Sequence, residues 1–244
     1  MSGGKRAAGI HGDAVAKIAR KIIRGRMAAG AALPTEPEIG AELGVSRTVV
    51  REAIKTLAAK GMVVTGPRRG TRVRPFADWN QFDPDVVAFR VAAGVDARFL
   101  DDLLELRLTI EPMAARLAAL RATPADIARI EAALTLMADA VDDKGHYVAA
   151  DLEFHQSILA AAGNQFVASL APLLGALLNV SFHHSVRSAE GAHEAVGLHR
   201  AVLRAIAGRK PAAAEKALRF LIQDARSDIK TALKHAESQA AADD

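Results

Sequence analysis

At 244 residues the chain has room for two domains, and half of its residues are apolar, enough for each to bury a core. It has no cysteine, which excludes a disulfide framework and thiolate metal sites, and no apolar run reaches the ~18 residues of a membrane-spanning helix. The net charge of +4 conceals two halves of opposite sign. Residues 1–75 hold 15 Lys and Arg against 5 Asp and Glu, while the remaining 169 hold 17 against 23. A basic front end calls for a polyanion. Aromatics are only 4% of the chain, which disfavours base stacking on single strands, and no basic helix carries large aromatic anchors for a membrane surface. Double-stranded DNA is the expected partner, and no membrane. The polar start MSGGKRAAGIHGD holds no hydrophobic signal region, so a cytoplasmic location is expected.

In chain order, both tails (Met1 to about Gly12, Ser238 to Asp244) are expected to be disordered. Asp13 to Met27 then reads as a helix with Val15, Ile18, Ile22 and Ile23 on one face. Thr35 is an N-cap for the next helix, with Glu38 in capping-box spacing. Gly44 suits the positive φ of a tight inter-helix turn, and Ser46 caps a third helix whose apolar stripe is Val50, Ile54 and Leu57. Its first turns expose Arg47, Thr48 and Arg51, the positions from which the second helix of a helix-turn-helix reads base edges. Val63–Thr65 and Thr71–Pro75 read as two short strands flanking Gly66-Pro67-Arg68-Arg69-Gly70, a turn whose Arg68 and Arg69 suit phosphates or a narrow groove. Helix, helix, recognition helix and two-stranded wing make a winged helix-turn-helix domain over 11–75.

Residues 76–84 read as a linker, with Trp79 and Phe82 expected to pack at a domain interface. From 85 to 237 the pattern is helical throughout: 85–93, 97–121, 124–142, 144–162, 164–187, 192–208 and 211–237. Thr123-Pro124, Gly163-Asn164 and Gly208-Arg209-Lys210-Pro211 punctuate it. The fold class is mainly α, with an all-α antiparallel bundle following the winged domain.

Three polar positions lie beside the bundle's apolar seam. Asp151 and His155 share a face at i,i+4, and His199 begins another helix, in LHRAVLRAI, followed by core spacing at Val202, Leu203 and Ile206. A carboxylate with two imidazoles suits a divalent ion of Zn, Ni or Mn type; satisfied core histidines explain the spacing equally well. Arg107 and Glu111, also i,i+4, sit in a helix apolar nearly all round, so the guanidinium either pairs with Glu111 or awaits an anion. His183, His184 and Arg187 stand where a pocket mouth could be. His11, His146 and His193 receive no role.

With LPTEPEIGAELGVSRTVVREAIKTLAAKGMV, PRRGTRV, ELRLTIEPMAARLAA, ADLEFHQSILAAAGN and HRAVLRAIAGRKPAAAEKAL, residues 11 to 237 resemble the GntR family of bacterial transcription regulators, in its FadR branch with an FCD effector domain. The resemblance implies a homodimer on a palindromic operator, with Ser46, Arg47, Thr48, Arg51 and the wing's Gly70 at the DNA. It also implies Asp151, His155 and His199 as metal ligands and Arg107 as the arginine that meets an effector carboxylate. Pro37 stands where many members carry a DNA-contacting arginine, and Leu221 where the fourth metal ligand, a histidine, is usual. The segments WNQFDPDVVAFRV and LRLTIEPMAARLAALRATPADIARIEAAL are similar to members that repress sugar-acid (aldonate, galactonate-like) catabolism. The expected function is therefore a repressor released from DNA by a small organic acid. Two alternatives stand beside it: a member answering another carboxylate, and a metal-dependent enzyme on the bundle, which would lack a general base because Glu153 lies on the wrong helix face.

Overall fold

The computed structural model describes residues 3–67, 69–94, 97–175 and 189–240. The chain divides into two compact units, Met1–Val95 and Asp96–Asp244. In the first, α1 (Gly3–Lys21) runs into a π turn (Ile22–Arg26), followed by α2 (Glu36–Leu43), α3 (Arg47–Ala59), β1 (Val63–Gly66) and β2 (Gly70–Val73). The N-terminal tail is thus helical from Gly3, where disorder was expected; residues 3–12 contain no proline to stop α1.

The helix-turn-helix forms as its sequence dictates. Glu38 accepts the Thr35 N–H (2.7 Å) and O–H (2.8 Å), fixing the start of α2. Gly44 ends that helix at φ +68°. The Ser46 hydroxyl accepts the Val49 N–H (3.3 Å) and opens α3, which buries Val50, Ala53, Ile54 and Leu57. The wing hairpin is antiparallel, Val63 opposite Val73 and Gly66 opposite Gly70. A third stretch, absent from the sequence reading, joins it: Leu33 N–H donates to Thr71 O (2.8 Å) and Val73 N–H to Ala31 O (3.0 Å). The stretch is too short to show alternation.

The segment after the wing is tied down. Trp79 is 8% exposed in the core of the first unit, donating Nε1–H to Arg74 O (3.0 Å) and lying edge-on to Phe76. Phe82 is 61% exposed. The expected place of Trp79 at an interface is therefore corrected: it closes the core of the winged unit. The helix α4 (Pro84–Ala93) packs on α1 and the π turn within this unit, with Val86 in the same core, although the sequence assigned it to the second domain. Lys60, at the end of α3, explains why. Its ammonium meets Asp83 (2.8 Å), the N-cap of α4, and Asp85 (2.7 Å). Burial opposes the charge on Lys60, but the two carboxylates outweigh it and raise its pKa; burial likewise opposes the charge on Asp83, but Lys60 and backbone N–H groups lower its pKa.

The second unit comprises α5 (Ala97–Arg121), α6 (Pro124–Asp139), α7 (Lys144–Ala161), the single turn α8 (Gln165–Ala168), α9 (Ala189–Ala207) and α10 (Pro211–Ala240). α5 packs on α10, α7 and α9, and α6 packs on α7 and α9. Phe154, Leu104, Ile130, Met137, Ile158, Leu159, Ile206 and Leu218 fill the interior. Pro112 lies inside α5 and cannot bond the Leu108 carbonyl; Arg219 of α10 donates to that oxygen instead (3.3 Å), so the helix runs through. Thr123 and Asp126 form the capping box of α6, and Asn164 caps α8 after Gly163 ends α7 at φ +61°. The single helix expected over 164–187 is interrupted: it stops at Ala168, and helix resumes over 171–175, where Pro172 fits a first turn. His183, His184 and Arg187 lie outside the described residues. Helix α10 reaches Ala240, past the expected frayed end at 238. Among the described residues no helix is long and apolar enough to cross a membrane.

Gly61 turns the chain from α3 into β1 at φ +74°, and a Cβ there would stand 2.6 Å from Asp78 O. Gly61→Ala is expected to destabilise the first unit by about 2 kcal/mol or more. Thermal unfolding should show its Tm lowered by roughly 5–10 °C. An unchanged Tm would mean that this corner relaxes without cost.

Candidate DNA-binding face and buried polar site

Ser46, Arg47, Thr48 and Arg51 are all exposed at the N-terminal end of α3. The amphipathic spacing that buries Val50 and Ile54 turns these side chains outward. Arg51 is held by a residue the sequence reading did not single out. Its Nε and Nη2 donate to Glu36 at 3.2 and 3.0 Å, a two-pronged pair bridging α3 to the first residue of α2. The Arg51 hydrogen bonds lower the pKa of Glu36. No spacing rule links positions 36 and 51, so only the fold reveals the pair. On the wing, Arg69 and Gly70 are exposed, Gly70 at φ +66°; Arg68 lies outside the described residues. Arg72 does not face out freely: its guanidinium donates to Gly30 O (2.8 Å).

The second unit brings together all five polar residues singled out from the sequence. Arg107, Glu111, Asp151, His155 and His199 are each 2–3% exposed. α5 supplies the first pair, α7 the second and α9 the last. Arg107 Nε donates to Glu111 Oε1 (2.6 Å), and Glu111 Oε2 stands 2.5 Å from His155 Nδ1. His155 Nε2 is 3.8 Å from Asp151 Oδ2, and His199 Nε2 is 2.8 Å from Asp151 Oδ1. Phe154 walls the cluster, its ring edge-on to both imidazoles at 5.8 and 4.9 Å between centroids.

The contacts within the cluster are close but poorly aligned. Glu111 Oε2, Asp151 Oδ2, His155 Nδ1 and His199 Nε2 are buried without a partner in hydrogen-bonding geometry, despite the short N···O distances. His199 explains part of this. Its Nδ1 lies 2.7 Å from Ala195 O, so a neutral ring keeps its proton there and turns the Nε2 lone pair to the Asp151 carboxylate. Those two acceptors need a proton or a metal cation to bring them together. One donor atom each from Asp151, His155 and His199 lies within 4.8 Å of the others, so the residues fit a divalent ion held by one oxygen and two nitrogens. Burial pushes the Glu111 carboxyl up, but the charges of Arg107 and His155 outweigh it and hold it at about 2. Asp151 is likewise opposed by burial and lowered by the His155 charge and by His199.

Leu221, at the position where the resemblance implied a fourth ligand, is 3% exposed, a core side chain that cannot ligate. Glu153 is exposed and lines an open surface groove of about 420 Å3 with Leu136, Asp139, Asp143 and His146. It faces away from the cluster, as its helical position predicts.

A winged helix-turn-helix followed by an all-helical unit defines a DNA-binding transcription regulator. Residues 11–73 match the family of bacterial regulatory proteins called gntR, and residues 102–224 match the FCD domain. The chain belongs to the GntR family, in the FadR-type branch that carries FCD. It is 34% identical to the uncharacterized HTH-type transcriptional regulator YieP of Escherichia coli over 85% of this chain and 90% of that one. It is 30% identical to the galactonate operon transcriptional repressor of the same organism, over 88% and 95%. The solved structure of Lar, which controls expression of the Listeria monocytogenes agr system, superposes with a TM-score of 0.65 at 18% identity, covering 91% of this chain and 96% of that one, a likeness of fold. The protein is thus a regulator, and the alternative of a metal-dependent enzyme falls.

Glu36→Gln is expected to release Arg51 and remove one negative charge from the α3 face. Fluorescence anisotropy on duplex DNA should show several-fold tighter binding at fixed salt. Weaker binding would mean that Glu36 holds Arg51 in its working pose.

Proposed function

We propose that the protein is a homodimeric repressor whose operator affinity is set by a small organic acid bound in the second unit. Arg47, Thr48 and Arg51 read base edges, Ser46 meets a phosphate, and Arg68, Arg69 and Gly70 present the wing to the backbone or a narrow groove. The observation that carries the regulatory half is the cluster of four buried, misaligned polar atoms in an otherwise hydrocarbon bundle. Such groups cost stability unless something binds them. Asp151, His155 and His199 hold a divalent ion of Zn, Ni or Mn type. When bound, that ion supplies a positive centre for an anionic ligand. Arg107 receives a carboxylate, and Glu111 completes the polar wall. The sugar-acid class, galactonate-like, is supported by the similarity to a galactonate operon repressor. A ligand moves the equilibrium only by binding the free and DNA-bound forms differently.

Titrating aldonates, lactate, amino acids and fatty acyl compounds into the protein on its own upstream DNA tests the reading. An aldonate is expected to dissociate the complex at lower concentration than the others; a response confined to fatty acyl compounds or amino acids would overturn the sugar-acid assignment.

Arg47→Ala is expected to lose about 1–3 kcal/mol of operator preference while keeping most non-specific binding. Competition between operator and scrambled duplex measures this, and an unchanged preference would remove Arg47 from base readout.

A further inference from the structure

We propose that Glu111 is a positioning residue for the cation site: its carboxylate holds the Nδ1 edge of His155, so that Nε2 is the atom turned towards Asp151 and the ion. This rests on the reading above that Asp151, His155 and His199 take a divalent cation.

The two imidazoles are anchored by different means. His199 is fixed from within α9, where Ala195, one turn back, receives its Nδ1 proton at 2.7 Å. His155 stands 2.5 Å from Glu111 of another helix, α5. That distance leaves no room for water, and both side chains are 2–3% exposed. The two atoms do not meet in hydrogen-bonding geometry. Their closeness still leaves Nδ1 facing Glu111, while Nε2 lies 3.8 Å from Asp151.

Glu111 is itself held from behind. Its other oxygen accepts Arg107 Nε at 2.6 Å, on the same face of α5. The chain Arg107, Glu111, His155 is therefore a carboxylate bridging a guanidinium and an imidazole. A carboxylate behind a ligating imidazole fixes its tautomer and raises its basicity, and its removal typically costs 10–100-fold in metal affinity. With Leu221 buried and unable to ligate, three side chains bear the whole binding free energy, and the orientation of each weighs more.

Glu111→Gln removes the negative acceptor but leaves Arg107 buried without its counter-charge, so R107Q/E111Q, an uncharged pair of matching shape, accompanies it. Zn²⁺ affinity is measured on the full-length chain by competition with a chromophoric chelator. E111Q and R107Q/E111Q are expected to bind Zn²⁺ 10–100-fold more weakly than the unsubstituted protein. R107K, which keeps a positive charge behind Glu111 and the carboxylate on His155 but changes the packing of the pair, is expected to stay within about threefold, since the lost interaction is not at the ligand. A general packing role for the ion pair would weaken R107K and E111Q alike, which would overturn the proposal. So would a folded E111Q or double variant with unchanged affinity. Long-range 1H–15N NMR of the imidazoles in the unsubstituted metal-free protein needs no variant. It should find His155 carrying its proton on Nδ1, and a proton on Nε2 alone would refute the assignment. Absence of stoichiometric Zn²⁺, Ni²⁺ and Mn²⁺ binding by the unsubstituted protein is a separate result. It would overturn the cation reading itself.

Discussion

Five ionisable side chains buried in one place are the constraint on which the second unit turns. Arg107, Glu111, Asp151, His155 and His199 all lie at 2–3% exposure. Each ionised group withdrawn from water costs several kcal/mol unless a partner compensates it. Arg107 and Glu111 cancel one another. Asp151 remains, facing two imidazoles of which one has its Nδ1 committed to a backbone carbonyl. The packing of α5, α7 and α9 is therefore specified by charge as well as by hydrocarbon. A slip of one helical turn, about 5.4 Å, would strand a guanidinium or a carboxylate in the core. An all-leucine seam would tolerate that slip far better. This is the sense in which a site that costs stability still defines the bundle.

The first unit depends on a different economy. Its core is small, and the chain after the wing is recruited to close it. Trp79 seals the corner below β1, and Lys60 grips both acids at the start of α4. The consequence is that α4 belongs mechanically to the recognition helix. Whatever happens beyond Gly94, the stretch from α1 to Ala93 shares one core, and α3 and α4 are linked through one ammonium group. Gly94 itself has φ +108° and ψ 135°, a conformation that only glycine adopts without strain.

Much of this was legible in the residues because the determining interactions are local. Capping at Thr35, Ser46 and Thr123, the turn at Gly44, and the i,i+4 pairs on α5 and α7 are all written within four residues of sequence. The convergence of Asp151, His155 and His199 was half visible: the first pair shares a face, but only packing brings α9 alongside. What escaped were contacts between residues far apart in the chain. Glu36 with Arg51, Lys60 with Asp83, Leu33 with Thr71 and Arg219 with Leu108 leave no periodic trace. Trp79 was misplaced because a tryptophan between Asp78 and Asn80 reads the same whether it seals its own unit or docks on another. The break at Ser169 and Leu170 was missed because the apolar pattern continues across it, while Pro172 was the available warning.

Two arginines sum up how one chemical pair serves two ends. Arg51 and Arg107 each donate to a glutamate of their own unit, Arg51 at 3.0–3.2 Å and Arg107 at 2.6 Å. Arg51 is exposed, so its pair with Glu36 is worth little, is screened by salt, and yields readily to a competing anion. Arg107 is sealed in hydrocarbon, where losing Glu111 would leave a bare charge. Only a ligand that enters the core with its own negative group can compete there, and it must shed its water to do so. The surface pair can exchange partners without leaving water. The buried pair cannot, because each change of partner there must desolvate an ion.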